Sequence, residues 1–180
     1  MRPMNWRVRG LLMIGMLSLG CQSEVDFNTP PSIRYGEDSC DQCRMIINEA
    51  RFAAAYITPP GHVRRFDDIG DMLQFDAAQR EEVKVFWVHD YETAEWLRAH
   101  EAFFVVSPEV QTPMAHGIIA VHQQPRATAL ADTLQGRVYT FGELRARFQK
   151  EGAVAGRAQH HDTSRAPVLG QSTRHTHTKE

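Results

Sequence analysis

The chain has 180 residues, of which 42% are hydrophobic and 23% charged. This composition is typical of a globular fold, so it excludes wholesale disorder, collagen and a polytopic membrane protein. Lys and Arg number 20 against 22 for Asp and Glu. The chain therefore lacks the basic excess of a nucleic-acid binder, and we expect no nucleic-acid partner. Three cysteines are too few for a disulfide-stapled scaffold, so folding must rely on a hydrophobic core.

Residues 1–20 have the features of a bacterial lipoprotein signal peptide. Three arginines precede an apolar run at residues 11–19, which is about half the length of a membrane-spanning helix. Cys21 follows directly, as in signals whose cysteine is lipidated and becomes the new N-terminus. The alternative is an ordinary secretory signal with an incidental cysteine. We expect a protein on the periplasmic face of a bacterial membrane, anchored through Cys21, and Gln22 favours the outer membrane.

The remaining chain divides by composition into three parts. Residues 21–32 are predicted to be a tether, and residues 33–150 carry nearly all of the periodic apolar content. Residues 151–180 lack aromatic side chains, contain several histidines and are predicted to be disordered. We predict an α+β fold for the central part, built from two related halves at about residues 36–90 and 91–150.

The central part alternates short apolar strands with three helices. The first helix is capped by Asp67 or Asp68, the second runs from Pro125 to a stop at Gly136, and a capping box at residues 140–143 opens the third. The predicted strands lie at residues 51–58, 63–66, 83–88, 102–106, 117–122 and 138–139.

Two stretches of the chain resemble each other. Met45 and Met114 each precede an apolar strand, and each is followed by a helix carrying Gly70 or Gly142. This pattern indicates a degenerate duplication. If the two copies pack about a pseudo-twofold axis, Met45 and Met114 come together at their junction.

Residues 40–45 (CDQCRM) place two thiols three positions apart, with a thioether two positions further on. A disulfide between Cys40 and Cys43 is one interpretation, but it would close a very short loop and stabilise little. A redox-active pair normally lies at a helix N-terminus, whereas the residues after Cys43 do not look helical. Structural zinc normally needs four ligands, and no second ligand pair with zinc-finger spacing is evident.

Copper is the interpretation that uses Met45. Thiolate and thioether are soft donors, and Cu(I) is a soft ion, so a mixed cysteine and methionine site favours Cu(I). Met114 is a further candidate ligand, although core filling is the commoner use of methionine. His116, two residues on, offers an imidazole, or is a surface residue or a neighbour of the ligands.

The order of these motifs resembles that of the NosL family of lipoprotein copper chaperones. The resemblance runs from about residue 35 to residue 148. It is carried by Cys21, the CDQCRMI run at residues 40–46, the alanine pair at 53–54, FDDIGDM at 66–72, AFFV at 102–105, TPM at 112–114 and FGEL at 141–144.

The resemblance implies two linked ββαβ-type halves, related in fold to the organomercurial lyase. It also implies delivery of Cu(I) to nitrous oxide reductase in the periplasm. The ligands implied are Cys43, Met45 and Met114, with Cys40 as a less certain fourth. Family members often have Gly after the second methionine, where this chain has Ala115, and His116 has no assured counterpart.

Two rival functions stay open on the sequence. One is an enzyme, either a thiol–disulfide oxidoreductase using Cys40 and Cys43 or a lyase. The other is a lipid-anchored scaffold without a functional metal. Asp67 and Asp68 are interpreted as helix caps, and the histidines of the tail as solvated residues able to collect metal ions weakly.

Overall fold

The structure, a computed structural model, describes the backbone of residues 25–162 and the side chains of residues 25–153. Seven strands and three helices form two sheets with helices packed against them. The elements in chain order are β1 (Ala54–Ile57), β2 (Val63–Phe66), α1 (Ile69–Gln79), β3 (Val85–His89), β4 (Trp96–Arg98), β5 (Phe103–Val106), β6 (Ile118–Val121), α2 (Gln124–Thr133), β7 (Arg137–Thr140) and α3 (Phe141–Asp162). The predicted α+β class is confirmed.

The first half forms a four-stranded antiparallel sheet in the order β2-β1-β3-β4. Strand β1 is central and is buried along its whole length, as its small and aromatic residues suit. Gly61 turns the hairpin between β1 and β2 with a φ of +90°, which glycine adopts without strain. Strand β4 was missed in the sequence because it is three residues long and only half-buried.

The second half repeats the same order of elements and the same pairing. Its sheet runs β6-β5-β7, so that the first strand is again central, the hairpin partner lies on one side and the strand after the helix lies on the other. The two ββαβ halves predicted from the resemblance are therefore confirmed. The predicted register of the duplication is wrong, however: Met45 precedes β1, whereas Met114 lies inside the β5–β6 connection.

One shared core joins the halves. Buried residues of β1 and α1 pack together with Phe104 of β5, Ile118 of β6 and Leu144 of α3. An isolated parallel bridge between Asp90 and Ala120 connects the end of the first sheet to the second. The site described below lies where this core reaches the surface, because Cys40 itself belongs to the core.

Helix α3 also fastens the second half to the first. Arg145 donates two hydrogen bonds to the buried carboxylate of Asp76 in α1, at 2.8 and 2.9 Å, and its guanidinium lies 4.8 Å from the centre of the Phe86 ring. The predicted capping box opens this helix, since Glu143 accepts from the backbone N–H of Thr140. The helix continues to Asp162, beyond residue 150, where the tail was predicted to start.

The segment before β1 is more ordered than a free tether. Val25 and Phe27 pack against the cluster of Ile57, Val85 and Trp87 on the first sheet. Cys21, the signal segment and residues 163–180 lie outside the described residues. Within the described part of the chain, no helix combines the length and apolar character needed to cross a membrane.

Candidate metal centre

The two cysteines lie in a tight turn that stands on the first half. The backbone N–H of Cys40 donates to the carbonyl of Met45 at 2.8 Å, and that of Arg44 donates to the carbonyl of Cys40 at 3.1 Å. Arg44 adopts a φ of +68°, which closes the turn. Asp41 fixes the turn to strand β2 through a reciprocal pair of bonds with the backbone of Arg65, each of 2.8 Å. The cysteine pair therefore lies in a turn, as predicted, and not at the N-terminus of a helix.

Each thiol faces a carboxylate at the start of α1. The Sγ atom of Cys40 lies 3.3 Å from Oδ2 of Asp71, and Sγ of Cys43 lies 3.5 Å from Oδ1 of Asp67. One ligand atom from each of the four residues lies within 4.8 Å of all the others. Cys40 and Cys43 are free thiols, so no disulfide links them in this structure. We call these four residues the thiol–carboxylate cluster.

The two neighbouring aspartates have different tasks. Asp68 is the N-cap of α1, and its Oδ1 accepts from the backbone N–H of Gly70 at 2.7 Å. Asp67 does not cap the helix, because its carboxylate is turned towards Cys43. The sequence interpretation of both residues as caps is therefore wrong for Asp67. The signal that separates them is the spacing to Gly70, which lets only one of the two side chains reach the N2 amide.

The second half contributes the long β5–β6 connection to this centre. The backbone N–H of Met114 donates to Oδ2 of Asp68 at 3.1 Å, and Nε2 of His116 lies 3.2 Å from Oδ1 of Asp71. The ring of His116 rests on Gly70, where any Cβ would overlap it. Ala115 between them has a φ of +59°. The loop that carries Met114 is therefore held on the N-terminus of α1 from the other half.

Asp71 is shared between the halves. One of its oxygens faces Cys40 of the first half and the other pairs with His116 of the second. His116 was expected to be a surface residue, a neighbour of the ligands or a ligand. Its side chain is only 19% exposed, and it contacts the ring of Phe148 as well as Asp71. Sequence reasoning did not find Asp71, because a carboxylate in the first turn of a helix reads as a favourable dipole interaction.

The electrostatics of the cluster follow from burial and these contacts. Burial raises the pKa of both thiols, and most strongly that of Cys40. Burial and the neighbouring charge of Asp71 raise the pKa of Asp67. Burial also opposes ionisation of Asp71, but hydrogen bonds from His116 and the two thiols outweigh it and hold the pKa of Asp71 below its usual value. The bond to Asp71 raises the pKa of His116 against the effect of burial.

The predicted ligands differ in their access to solvent. Cys40 is fully buried, Cys43 is partly buried, and Met114 is also partly buried. Met45 is 54% exposed and lies beside Ile46, which is 42% exposed. The structure thus gathers Cys40 and Cys43 in one cluster, attaches the loop of Met114 and His116 to its edge, and leaves Met45 on the outer side of the turn.

Comparisons with known proteins agree with this arrangement. The model of the NosL family matches residues 33–148, which is more than half of the chain. The chain is 24% identical over 162 residues to the copper-binding lipoprotein NosL of Stutzerimonas stutzeri, a match that covers 84% of this chain and 85% of that protein. The crystal structure of the copper chaperone NosL from Shewanella denitrificans superposes with a TM-score of 0.53 at 23% identity, over 63% of this chain and 96% of that one, and so shares the fold. The chain belongs to the NosL family.

Proposed function

We propose that this protein is an extracytoplasmic Cu(I) chaperone that delivers copper for the assembly of nitrous oxide reductase. The observation that carries the proposal is the convergence of two free thiols beneath two methionine-bearing segments, one from each half of a NosL-family chain. The relatives named above are described as a copper-binding lipoprotein and a copper chaperone. Soft sulfur donors on a turn and a loop suit an ion that must be held and then released.

Cys43, Met45 and Met114 are the proposed ligands, with Cys40 as a further candidate. Cys43 is the thiol closer to solvent, and Met45 follows it across the turn closed by Arg44. The loop of Met114 reaches the same helix end through the backbone bond to Asp68. A small inward movement of either segment is all that separates an open cluster from a closed sulfur site, because both are surface connections rather than sheet strands.

The environment of the thiols supports a carrier rather than an oxidoreductase. Redox-active cysteines have a lowered pKa at a helix N-terminus, which makes one thiol a good nucleophile. Here burial raises the pKa of both thiols and each faces a carboxylate, which disfavours a free thiolate. A bound Cu(I) ion would supply the positive charge that makes thiolate formation favourable, so deprotonation accompanies binding.

Titration with Cu(I) against a competing chelator tests the ligand set. We expect Cys43→Ser to weaken binding by more than the roughly 10–100-fold that loss of a residue beside a ligand costs. Met45→Leu and Met114→Leu should weaken it less, because a thioether is a neutral donor. Ile46→Leu is the matched control, since this neighbour is similarly exposed and has no sulfur. Equal affinities for all of these variants and the wild type would contradict the proposal.

Delivery and anchoring need separate measurements. Copper-loaded protein should restore copper to reductase purified without it, and Cys43→Ser should not. Lipidation at Cys21 predicts incorporation of a labelled fatty acid into wild type and none into Cys21→Ser. Separation of the two membranes on a density gradient then tests our expectation of the outer membrane; recovery with the inner membrane would correct that part of the proposal.

A further inference from the structure

The thiol–carboxylate cluster contains two donors that Cu(I) does not need. Asp67 and Asp71 face the thiols of Cys43 and Cys40, yet carboxylate oxygen is a hard donor with little affinity for a soft monovalent ion. Two thiols and two carboxylates are instead a complete set of four for a divalent ion of borderline softness. We propose that these four residues form a tetrahedral site for Zn²⁺, or for Co²⁺ as its spectroscopic substitute, separate in ligand set from the proposed Cu(I) site.

The spacing of the donors is close to that of a tetrahedron. With Zn–S bonds of about 2.3 Å and Zn–O bonds of about 2.0–2.2 Å, sulfur and oxygen ligands lie roughly 3.6 Å apart. The Cys40–Asp71 and Cys43–Asp67 contacts measure 3.3 and 3.5 Å. The largest separation within the set is at most 4.8 Å, so a small side-chain rotation brings all four atoms to one ion. All four residues are buried or partly buried, as a structural zinc site requires.

Groups around the cluster orient the ligands. Asp71 uses one oxygen for His116, which fixes the carboxylate and leaves the other oxygen towards Cys40. Such a partner is the usual way in which a protein positions a metal ligand. Backbone N–H groups of Cys43, Asp67 and Gln42 also point at the sulfur of Cys40 and favour its thiolate form.

The ion would displace the two thiol protons and leave the two carboxylates ionised. The formal charge of two thiolates, two carboxylates and one divalent cation is negative, and His116 beside Asp71 offsets part of it. The sequence offered no hint of this set, because its cysteines are followed by no second pair of cysteines or histidines at zinc-finger spacing. The second pair of ligands comes from the start of α1, which the Asp41–Arg65 contacts place against the turn.

Cobalt titration of reduced, metal-free protein under anaerobic conditions tests the inference. Every protein carries Cys21→Ser, so that Cys40 and Cys43 are its remaining cysteines. We expect intense visible bands of tetrahedral Co²⁺ with thiolate charge transfer, removed by one equivalent of Zn²⁺. Cys40→Ser and Asp67→Asn should each weaken Co²⁺ binding at least tenfold and lose the tetrahedral spectrum. Octahedral cobalt without thiolate charge transfer in the parent protein would overturn the proposal.

Met114→Leu separates this inference from the copper proposal. It should leave the cobalt spectrum and affinity unchanged while it weakens Cu(I) binding. If Met114→Leu leaves both unchanged, the copper ligand set fails and the divalent site stands; if it abolishes both, the two sites are one and the inference fails.

X-ray absorption of the zinc-loaded parent protein gives a readout that depends on no variant. We expect two sulfur neighbours at about 2.3 Å and two oxygen neighbours at about 2.0–2.2 Å. A shell of nitrogen and oxygen alone, as histidines of the tail would supply, would contradict the site even if Asp67→Asn failed to fold.

Discussion

The two halves have the same strand order but differ in one connection, and that difference creates the site. In the first half the hairpin between β1 and β2 is a short turn at residues 58–62 that stays on its own sheet. In the second half the corresponding connection at residues 107–117 is longer and crosses to the N-terminus of α1. The first half supplies a turn with thiols and a helix end with carboxylates, and the second supplies a loop with a thioether and an imidazole. A repeated scaffold thus places different chemistry at its junction by varying a loop and leaving its strands alone.

The ion pair between Arg145 and Asp76 should give the largest effect on stability, because it holds the helix of one half to that of the other. Arg145→Met leaves the buried Asp76 carboxylate without a partner, and we expect a loss of about 3 kcal/mol in the free energy of unfolding by urea. Arg147→Met on the same helix is the control. Its pair with Glu151 is exposed on both sides, so the change should stay below about 0.5 kcal/mol. Similar losses for both variants would contradict a fastening role for Arg145.

Gly70 and Gly142 test whether close approach of the halves matters at the site. Gly70→Ala adds a Cβ that overlaps His116, so we expect a loss of about 1–3 kcal/mol of stability together with weaker Cu(I) binding. Gly142→Ala adds a Cβ in open space near the start of α3 and should be neutral or slightly stabilising. Urea unfolding and chelator competition measure both. Unchanged copper affinity in Gly70→Ala would mean that the His116 loop is not part of the copper site.

Ala115 and Ala94 both adopt left-handed backbone conformations, one in the loop of the second half and one beyond β3 in the first. Replacement of either by Gly removes that strain, and we expect a gain of about 0.5–1 kcal/mol in thermal unfolding experiments. Only Ala115→Gly should alter Cu(I) affinity, because Ala115 directly follows Met114. A loss of stability in Ala115→Gly would show that the rigidity conferred by alanine outweighs its strain.

The contact between His116 and Asp71 should make the stability of the metal-free protein depend weakly on pH. Folding raises the pKa of His116 above its ordinary value of 6.5, so its contribution is complete below that pH and is lost as pH rises through the folded value. Folding lowers the pKa of Asp71 from its ordinary 3.8, so that contribution is present above 3.8 and is lost on acidification. The stability advantage of wild type over His116→Gln should therefore be largest between these two values and shrink towards pH 9. An advantage independent of pH would show that His116 acts by packing alone.

Much of the fold could be predicted from local chemistry. The Pro-Pro-Gly turn, the capping box of Thr140 and Glu143, and the buried strand of β1 each carry a signal within a few residues. The register of the duplication was wrong because Met45 and Met114 lie before similar apolar strands that occupy different places in the fold. The carboxylates were missed for a related reason. Which face of α1 meets the cysteine turn depends on contacts between distant segments, such as Asp41 with Arg65, that no local pattern reveals.

The sulfur-bearing residues form a series in depth, from the outward Met45 through Cys43 to the enclosed Cys40. A partner protein can touch the outermost member without disturbing the innermost one. The ion can then be passed along by one bond at a time, with a new ligand arriving before the last old ligand departs. Such stepwise exchange would spare copper any interval as a free ion in the oxidising space outside the cytoplasm.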